Sequence, residues 1–241
     1  MESVVADYWI VVPAAGTGRR FGGVIPKQYQ TLAGKTVIEH TLERLLGVNE
    51  AIVVVAVHPE DTHWSRLSIF DHPRIRTVHG GGERADSVRL ALECLSREAD
   101  ADDWVLVHDV ARPCVRVAEI RHLIATLRDH KVGGVLAVPV SDTVKRVEQA
   151  DNIAITEDRS KLWLAQTPQM FRYGLLSWSL KTAVRQQWQP TDESQAVERL
   201  GHVPQVVEGS RDNLKITRRE DLAIAEAVLR YQREMETGQE L

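Results

Sequence analysis

The sequence has no apolar run that approaches the ~20 residues a membrane-spanning helix needs, so we expect no membrane association. Its first residues have neither the basic start nor the long apolar core of a secretory signal. It holds only two cysteines, Cys94 and Cys114, which form no CxxC pair and accompany no cluster of histidines. We therefore expect reduced, packing cysteines in a cytoplasmic protein, and neither a disulfide nor a zinc site.

An excess of basic residues is missing as well. The 241 residues carry 30 Lys and Arg against 34 Asp and Glu, which gives a formal net charge of −4. This balance predicts no non-specific binding to nucleic acid or to an anionic membrane surface. Any phosphate ligand must therefore be held by a local cluster of cations. With 43% hydrophobic residues, the length suits a single α/β domain over residues 1–241.

Apolar runs alternate with helical patterns along the first part of the chain. Continuous apolar runs predict strands buried on both faces at residues 8–13, 51–57, 104–107 and 134–140. A capping box at Thr36 and Glu39 starts one helix, and apolar spacing predicts others near 87–95 and 120–127. Strands that alternate with helices imply right-handed β-α-β units and a mostly parallel sheet flanked by helices.

The pattern changes after Pro139. Residues from about 140 to 164 mix short β-like stretches with charged residues, and Asp151-Asn152 suits a turn. We predict a hairpin-like arm over residues 140–164 that leaves the core.

The last third of the chain returns to helical patterns. The predicted elements are helices at 173–188 and 193–200 and a strand at 203–207. A capping box at Thr217 and Glu220 starts a final predicted helix, which ends at Tyr231. Residues 232–241 are polar, and we expect this tail to fray.

A glycine-rich segment follows the first strand, with PAAGTGRRFG at residues 13–22 and PKQY at 26–29. Small residues there let the backbone approach a ligand, so that N–H groups can bind phosphate oxygens. Arg20 and Lys27 would supply positive charge where a pentavalent phosphorus accumulates negative charge. On this segment alone, however, an ordinary glycine turn with solvated cations is the favoured interpretation.

A dinucleotide-binding fingerprint is a third interpretation of this segment. In the pattern GxGxxG, Phe21 stands where the third glycine belongs, and that glycine allows tight helix–strand packing. The acidic residue expected about 20 residues further on would be Glu39, which lies in a helix capping box instead. A nicotinamide site is therefore disfavoured, and the P-loop pattern GxxxxGK[ST] is absent.

A second glycine-rich turn, HGGGERADSV at residues 79–88, enters a helix. This turn could make backbone contacts to a base or ribose, with Ser87 as a hydroxyl partner. An ordinary β-α loop is an equally good interpretation. Two such loops at the ends of parallel strands favour a ligand site more than one does, because ligands bind there in this architecture.

Asp109 comes directly after a buried strand, in the stretch VLVHDVARP at residues 105–113. A carboxylate there can hold Mg²⁺, a hard cation that prefers oxygen ligands and bridges phosphates. The alternatives are a helix or turn cap for Asp109 and a surface or ion-pair role for Arg112. Given the phosphate-type loop upstream, we favour the metal interpretation, and we interpret His108 as structural.

Together these stretches resemble the 2-C-methyl-D-erythritol 4-phosphate cytidylyltransferases of the non-mevalonate isoprenoid pathway, over about residues 9–229. The matching stretches are PAAGTGRR, PKQY, GGERADSV, HDVARP, DTVK, QTPQMF, TDE and DNLKIT. Each is weak alone, but all of them in the same order are highly specific.

The resemblance implies a Rossmann-like α/β sheet with a protruding β-arm, within a single nucleotidyltransferase domain. It implies a homodimer in which the arm of one subunit completes the active site of the other. The implied reaction transfers the cytidylyl group from CTP to 2-C-methyl-D-erythritol 4-phosphate, with Mg²⁺ as cofactor. The products are 4-diphosphocytidyl-2-C-methyl-D-erythritol and pyrophosphate.

Roles for single residues follow from the resemblance at matching positions. It implies that the catalytic residues are Arg20, Lys27, Arg159 and Lys215, and that Asp109 binds the metal. The implied nucleotide-binding residues are Pro13, Ala14, Ala15, Gly16, Gly18, Lys27, Gly81, Gly82, Ser87 and Val110. The implied residues for the substrate phosphate and polyol are Thr143, Arg159, Thr191, Lys215 and Arg112, of which Thr143 and Arg159 come from the partner's arm.

Val110 departs from the family pattern, which usually has alanine there. Its extra methyl groups are expected to alter nucleotide affinity and to leave function intact.

The nearest alternative function is that of a cytidylyltransferase for another polyol phosphate, such as ribitol 5-phosphate, because the phosphate-binding cations would be shared. A nucleotide-binding regulator or a dehydrogenase is an alternative of another class. Because the match fills the chain, we expect no second catalytic domain of a bifunctional enzyme.

Overall fold

The computed structural model describes residues 8–16, 21–22, 25–49 and 51–238. The strands in chain order are β1 (Tyr8–Pro13), β2 (Thr31–Leu32), β3 (Lys35–Thr36), β4 (Ala51–Val57), β5 (Ile75–His79), β6 (Trp104–Val107), β7 (Gly133–Pro139), β8 (Lys145–Val147), β9 (Ile153–Thr156), β10 (Trp163–Arg172) and β11 (Gln205–Glu208). The helices are α1 (Val37–Leu46), α2 (Arg84–Cys94), α3 (Val117–Leu127), α4 (Tyr173–Arg185), α5 (Glu193–Glu198) and α6 (Glu220–Thr237). Within these ranges, no helix is both long and apolar enough to cross a membrane.

The central sheet joins strands from the whole chain in the order β11-β7-β10-β6-β1-β4-β5. β1 pairs in parallel with β4 and with β6, and β4 pairs in parallel with β5. β10 runs antiparallel to both of its neighbours, β6 and β7, while β11 is parallel to β7. The sheet is therefore mostly parallel, as predicted, with one strand reversed.

Both faces of this sheet are covered by helices. Successive side chains of a strand point to opposite faces, and β1 shows this alternation. Ile10 and Val12 pack into the cluster that contains the apolar faces of α1 and α3. Trp9 and Val11 pack into the cluster that contains residues of α2, α4 and α5. Because neither face meets water, the strand sequence is continuously apolar, which is why the sequence pattern predicted it.

The start of α1 confirms the predicted capping box. Thr36 Oγ1 accepts a hydrogen bond from the Glu39 N–H at 3.4 Å, and Glu39 Oε2 accepts one from the Thr36 N–H at 2.8 Å. One face of the helix then places Ile38, Leu42 and Leu45 in the core with no exposed surface. Burial of each such side chain contributes about 1.5–3 kcal/mol, so packing of this face, more than the cap, holds α1 in place.

The strands β5 and β10 were not predicted. β10 lacks the apolar pattern because its buried centre carries the polar side chains of Gln166, Thr167 and Gln169. These groups are buried at the sheet because they make hydrogen bonds to neighbouring segments, for example from Gln166 Nε2 to the Ser210 carbonyl at 2.9 Å. A strand whose buried side chains are polar is thus not predicted from apolar runs.

The end of the chain also differs from the prediction. The N-cap of α6 is Arg219, which makes no side-chain capping hydrogen bond, so the predicted capping box at Thr217 and Glu220 is wrong. Instead Asp221 Oδ2, in the first turn of the helix, accepts from the Thr217 N–H at 2.7 Å. The helix extends to Thr237, so the prediction of an end at Tyr231 and a frayed tail over 232–241 is wrong for residues 232–237. Gln232 is 2% exposed and donates to the Cys114 carbonyl at 3.0 Å, which fixes this part of the helix to the core. Residues 239–241 lie outside the described ranges.

Residues 140–164 contain the predicted hairpin, which we call the arm. β8 and β9 pair antiparallel, with Lys145 opposite Thr156. The apolar side chains of this hairpin face outwards, and Ile153 and Ile155 are 61% and 55% exposed. The arm therefore leaves the core, while its role in dimerisation stays a prediction.

Candidate active site

A cleft opens at the carboxyl ends of the parallel strands, where ligands bind in open α/β sheets. It encloses about 570 Å³ of empty space, counting its open mouth. The end of β1 and the segment after it, the first turn of α2, the loop after β6 and a segment before α6 supply its lining. The lining consists of Pro13, Gly16, Lys27, Gln28, Arg84, Ser87, Asp109, Val110, Ala111 and Lys215. The walls thus combine small residues with several charges of opposite sign.

The two glycine-rich loops touch each other in this cleft. A Cβ atom on Gly80 would lie 2.6 Å from the Ala15 Cβ, which is closer than such atoms can approach. Ser87 Oγ accepts a hydrogen bond from the Gly81 N–H at 3.1 Å, and the Ser87 hydroxyl donates one to the Glu83 carbonyl at 3.2 Å. Glycine at position 80 is therefore required for the close approach of the two loops, and Ser87 fixes the second loop from the first turn of α2.

Gln28 is a further residue of the site, and sequence reasoning gave it no role. Its side chain is 2% exposed, and its Nε2 donates to the Ala14 carbonyl at 2.8 Å and to the Gly16 carbonyl at 3.2 Å. One buried amide thereby holds the beginning of the first glycine loop. The signal available in the sequence was its place directly after Lys27 in the PKQY stretch.

Asp109 is surrounded by cations. Its Oδ1 accepts from Arg84 Nε at 2.7 Å, its Oδ2 lies 2.7 Å from Lys215 Nζ, and Arg112 Nε approaches Oδ2 at 3.7 Å. Burial alone would raise the pKa of the Asp109 carboxyl, but the charges of Arg84, Lys215 and Arg112 outweigh it and hold this pKa well below its usual range. Asp109 is therefore ionised at every pH at which the protein would work.

Arg84 and Glu193 belong to the same cluster, and sequence reasoning missed both. Arg84 NH1 and NH2 donate to the two carboxylate oxygens of Glu193 at 2.7 and 3.0 Å. Burial would lower the pKa of Arg84, but Glu193 and Asp109 raise it above its usual range. Since the two partners are 109 positions apart along the chain, no local spacing could have indicated this pair.

His108, Thr167 and Asn213 form a buried polar network behind Asp109. Thr167 Oγ1 accepts from the Asp109 N–H at 3.0 Å, so its own hydrogen can be donated to His108 Nδ1 at 3.1 Å. His108 Nε2 then carries the ring hydrogen and donates to the Arg112 carbonyl at 3.1 Å. Burial lowers the pKa of His108 to about 4, so the ring is neutral near pH 7. These contacts agree with the structural role expected for His108.

Arg112 is anchored in the same network. Its NH1 donates to the Asn213 carbonyl at 2.6 Å, while Asn213 Nδ2 donates to the Thr167 carbonyl at 2.8 Å. The side chain of Arg112 is only 11% exposed, and burial lowers its pKa from the ordinary value. Arg112 thus contributes fixed positive charge behind the cleft and is not among the residues that line it.

The structure brings together many of the residues expected at the site, but not all of them. Those that line the cleft are Pro13, Gly16, Lys27, Ser87, Asp109, Val110 and Lys215. Ala14 and Ala15 are buried beneath it, and Gly81 and Gly82 lie in the second loop beside Ser87. Gly18 and Arg20 lie outside the described residues. Thr143 and Arg159 are exposed on the arm, and Thr191 is exposed before α5, where its hydroxyl contacts Gln195.

The donor groups at the cleft allow only one kind of metal site. Among the described residues, no group of three or more His, Cys, Asp or Glu side chains could hold a metal ion. Asp109 is the carboxylate that lines the cleft. Mg²⁺ in phosphate-transfer sites is held by one or two carboxylates together with substrate phosphates. The residues therefore fit a Mg²⁺ ion that arrives with a nucleoside triphosphate, and they do not fit one held by the protein alone.

Comparison of the sequence with known families gives a match along nearly the whole chain. The model of a family described as 2-C-methyl-D-erythritol 4-phosphate cytidylyltransferase matches residues 8–231. A protein of that name from Vibrio vulnificus (strain CMCP6) is 49% identical over 231 residues, which cover 95% of both chains. Another from Hahella chejuensis is 45% identical over 225 residues, which cover 92% of both chains.

A solved structure of the same name is similar in fold. The crystal structure of the Francisella tularensis 2-C-methyl-D-erythritol 4-phosphate cytidylyltransferase superposes with a TM-score of 0.80 at 36% sequence identity. The superposition covers 92% of this chain and 99% of that one. The fold class expected from the sequence, a mostly parallel sheet flanked by helices, is thereby confirmed.

Proposed function

The chain belongs to the 2-C-methyl-D-erythritol 4-phosphate cytidylyltransferase family, and from this premise we propose how its cleft serves the reaction. The chain is a cytidylyltransferase that transfers the cytidylyl group of CTP to 2-C-methyl-D-erythritol 4-phosphate, in isoprenoid precursor biosynthesis. The products are 4-diphosphocytidyl-2-C-methyl-D-erythritol and pyrophosphate. The observation that supports the cleft as the site is the cluster of Arg84, Lys215 and Asp109 beside two glycine-rich loops.

The reaction needs charge neutralisation more than proton transfer. The nucleophile is a phosphate oxygen of the polyol phosphate, which is already ionised at neutral pH. It attacks the α-phosphorus of CTP, so that one P–O bond forms while the bond to the leaving pyrophosphate breaks. No general base is required, and neutral His108 is engaged with Thr167 and the backbone. The rate must come from placing two anions that repel each other and from positive charge around them.

Lys27 and Lys215 are the cations best placed for this work. Both line the cleft, and Lys27 Nζ donates to the carbonyl of Ile216, the residue after Lys215. We assign Lys27, together with Arg20, to the charge that develops at the α-phosphate. We assign Lys215, with Arg112 behind it, to the phosphate of the acceptor. The nucleotide would lie against the remaining predicted residues, which are Pro13, Ala14, Ala15, Gly16, Gly18, Gly81, Gly82, Ser87 and Val110.

Mg²⁺ dependence is part of the proposal. Asp109 is ionised, lines the cleft and is the protein ligand that we assign to the ion. When bound, Mg²⁺ would supply positive charge to the triphosphate oxygens and so favour release of pyrophosphate. Asp109 Oδ2 lies 2.7 Å from Lys215 Nζ, so the ion would be held beside this lysine.

The arm is proposed to act in a second copy of the chain. Thr143 and Arg159 are exposed on the arm, where an Arg159 nitrogen donates to the Ser141 carbonyl, and neither lines the cleft of its own subunit. The outward apolar residues Ile153 and Ile155 favour coverage by another protein surface. We infer a homodimer in which Thr143 and Arg159 reach the acceptor phosphate in the partner's cleft, near Thr191. The cytoplasmic location expected from the sequence stays a prediction.

The first experiment measures pyrophosphate release by the purified enzyme with CTP, Mg²⁺ and 2-C-methyl-D-erythritol 4-phosphate. ATP, GTP and UTP replace CTP in parallel reactions, and ribitol 5-phosphate replaces the acceptor. Release that requires CTP and 2-C-methyl-D-erythritol 4-phosphate together, and that stops when EDTA removes Mg²⁺, is the expected result. Release with ribitol 5-phosphate only would favour the other polyol phosphate, and release that EDTA leaves unchanged would contradict the metal proposal.

A further inference from the structure

Arg84 connects two buried carboxylates that lie on different elements. Its NH1 and NH2 donate to Glu193 of α5 at 2.7 and 3.0 Å, and its Nε donates to Asp109 Oδ1 at 2.7 Å. Glu193 is 1% exposed and Asp109 is 7% exposed, whereas the side chain of Arg84 is 27% exposed where it lines the cleft, so the two carboxylates are shielded from water. Neither Arg84 nor Glu193 has a role in the reaction as described so far.

We propose that Glu193 is a positioning residue for cytidylyl transfer, which acts through Arg84 to fix how Asp109 presents its carboxylate to the cleft. The inference rests on the proposed function of the cleft. A bidentate contact with a carboxylate fixes the plane of a guanidinium group. With that plane fixed by Glu193, Arg84 Nε points at Asp109 Oδ1. The orientation of the carboxylate then also fixes Oδ2 beside Lys215, at 2.7 Å from its Nζ.

The charge of Glu193 also matters for Asp109. Three cations approach the Asp109 carboxylate, namely Arg84, Arg112 and Lys215. Glu193 adds the second negative charge to this group, and both of its oxygens are directed at Arg84. Without that charge, Arg84 would be free to turn its other nitrogens towards Asp109 or towards a triphosphate. Glu193 thereby keeps two nitrogens of Arg84 engaged and leaves Nε directed at Asp109 Oδ1.

A role limited to holding α5 in place is a weaker explanation, because α5 has other attachments. Asp192 Oδ1 accepts from the Gln195 N–H at 2.9 Å and caps the helix. Gln169 of β10 donates to Asp192 at 2.9 Å and accepts from the Ser194 N–H at 2.9 Å. A buried ion pair is seldom needed for stability, since neutral replacements of both partners are often as stable. The function of the Arg84–Glu193 pair therefore lies in what it does to Asp109.

The test replaces Glu193 by its neutral isostere and compares it with a matched change on the same helix. Glu193→Gln is expected to lower kcat for CTP and 2-C-methyl-D-erythritol 4-phosphate by about 10- to 100-fold, as loss of a supporting partner does at comparable sites. KM for the acceptor should change far less than kcat. Asp192→Asn makes the same carboxylate-to-amide change without touching Arg84, and it should leave kcat within about twofold.

Two further variants separate positioning from stability. Arg84→Gln combined with Glu193→Gln removes both charges, so the melting temperature should recover relative to Glu193→Gln alone while kcat stays low. Glu193→Asp keeps the charge and should restore part of kcat. A folded Glu193→Gln enzyme with full kcat, or a double variant with wild-type kcat, would overturn the inference alone. A folded wild-type enzyme that is inactive with both substrates would overturn the proposed function, and the inference with it.

Discussion

The cleft and the arm differ in whether the same chain supplies partners for their side chains. In the cleft, the Asp109 carboxylate pairs with Arg84 and with Lys215, each at 2.7 Å, inside one chain. On the arm, Ile153 and Ile155 are each more than half exposed, and no part of the described chain covers them. A single chain therefore assembles the charged centre by itself, whereas the function proposed for the arm needs a second copy of the chain. Substitutions in a single chain test the cleft, and combinations of two different chains test the arm.

Asp109→Asn should have the largest effect on the cleft side of this comparison. The change leaves Arg84, Lys215 and Arg112 without their common counter-charge. We expect kcat to fall about 100- to 1000-fold, the range seen when one group that stabilises the transition state is lost. We also expect the free energy of unfolding to fall by about 3 kcal/mol, because breaking a buried pair leaves uncompensated charge.

Pyrophosphate release and urea unfolding measure these two effects of Asp109→Asn. Asp103→Asn is the matched control, since Asp103 accepts from Trp9 Nε1 at 3.0 Å just before β6 begins, at the other end of the same strand. Its kcat should remain near that of the wild type. A fully active Asp109→Asn enzyme would show that the charged centre is not the working part of the cleft.

Mixed dimers test the arm. Arg159→Ala and Lys27→Ala enzymes should each be nearly inactive alone. If the arm acts in the partner's cleft, a heterodimer holds one intact site out of two, and random exchange should restore about a quarter of the wild-type activity. The measurement is pyrophosphate release after mixing, with subunit exchange followed by mass spectrometry. No recovery despite complete exchange would place Arg159 in the cleft of its own subunit and remove the distinction between the two regions.

The pH dependence of stability should contain a contribution from His108, which belongs to the cleft side of this comparison. The pKa of His108 is lowered to about 4 in the folded protein, against an ordinary value near 6.5. The unfolded chain therefore binds a proton between these values that the folded chain does not. Stability should fall by about 3 kcal/mol as the pH decreases from 6.5 to 4, at 1.36 kcal/mol per pKa unit.

Urea unfolding at several pH values measures this loss. In His108→Asn the part of the slope that belongs to His108 should disappear, whereas His122→Asn, a change on the exposed side of α3, should retain it. An unchanged slope in His108→Asn would mean that another group causes the loss.

Val110→Ala should have the smallest effect. Val110 is 6% exposed and packs in the core beneath the cleft, and its carbonyl accepts from Thr41 Oγ1 at 2.8 Å. Removing two methyl groups should lower the free energy of unfolding by about 2 kcal/mol. The KM for CTP should change by only a few-fold, since the backbone contact remains. A KM for CTP identical to that of the wild type would show that the nucleotide does not lie against Val110.

The sequence predicted the parts of the fold that follow a simple period. β1, β4 and β6 appear as apolar runs because both of their faces are buried. β10 was not predicted because its buried residues Gln166, Thr167 and Gln169 are polar and hydrogen-bonded, so they form no apolar run. β5 escaped because its residues are only partly buried or exposed at the sheet edge, so that the strand has no continuous apolar signal.

Prediction of the site was limited in a similar way. Asp109 and Lys27 stand in local stretches whose chemistry can be interpreted on its own. Glu193 becomes part of the site only through Arg84, a contact between distant positions that the fold creates. Gln28 acts through carbonyl groups of the first loop, and carbonyl groups are the same whatever the sequence.

The backbone of Ile216 fixes the position of the neighbouring Lys215 in the cleft. Its N–H donates to the Ala111 carbonyl at 2.8 Å, and its carbonyl accepts from Lys27 Nζ at 3.1 Å. The neighbouring Lys215 therefore stands at a set distance from both the loop after β6 and the loop after β1. Inserting or deleting one residue between Asn213 and Thr217 would displace Lys215 by roughly 3.5 Å, more than the whole length of its contact with Asp109. A chain with such a change should therefore lose the contact between Lys215 and Asp109.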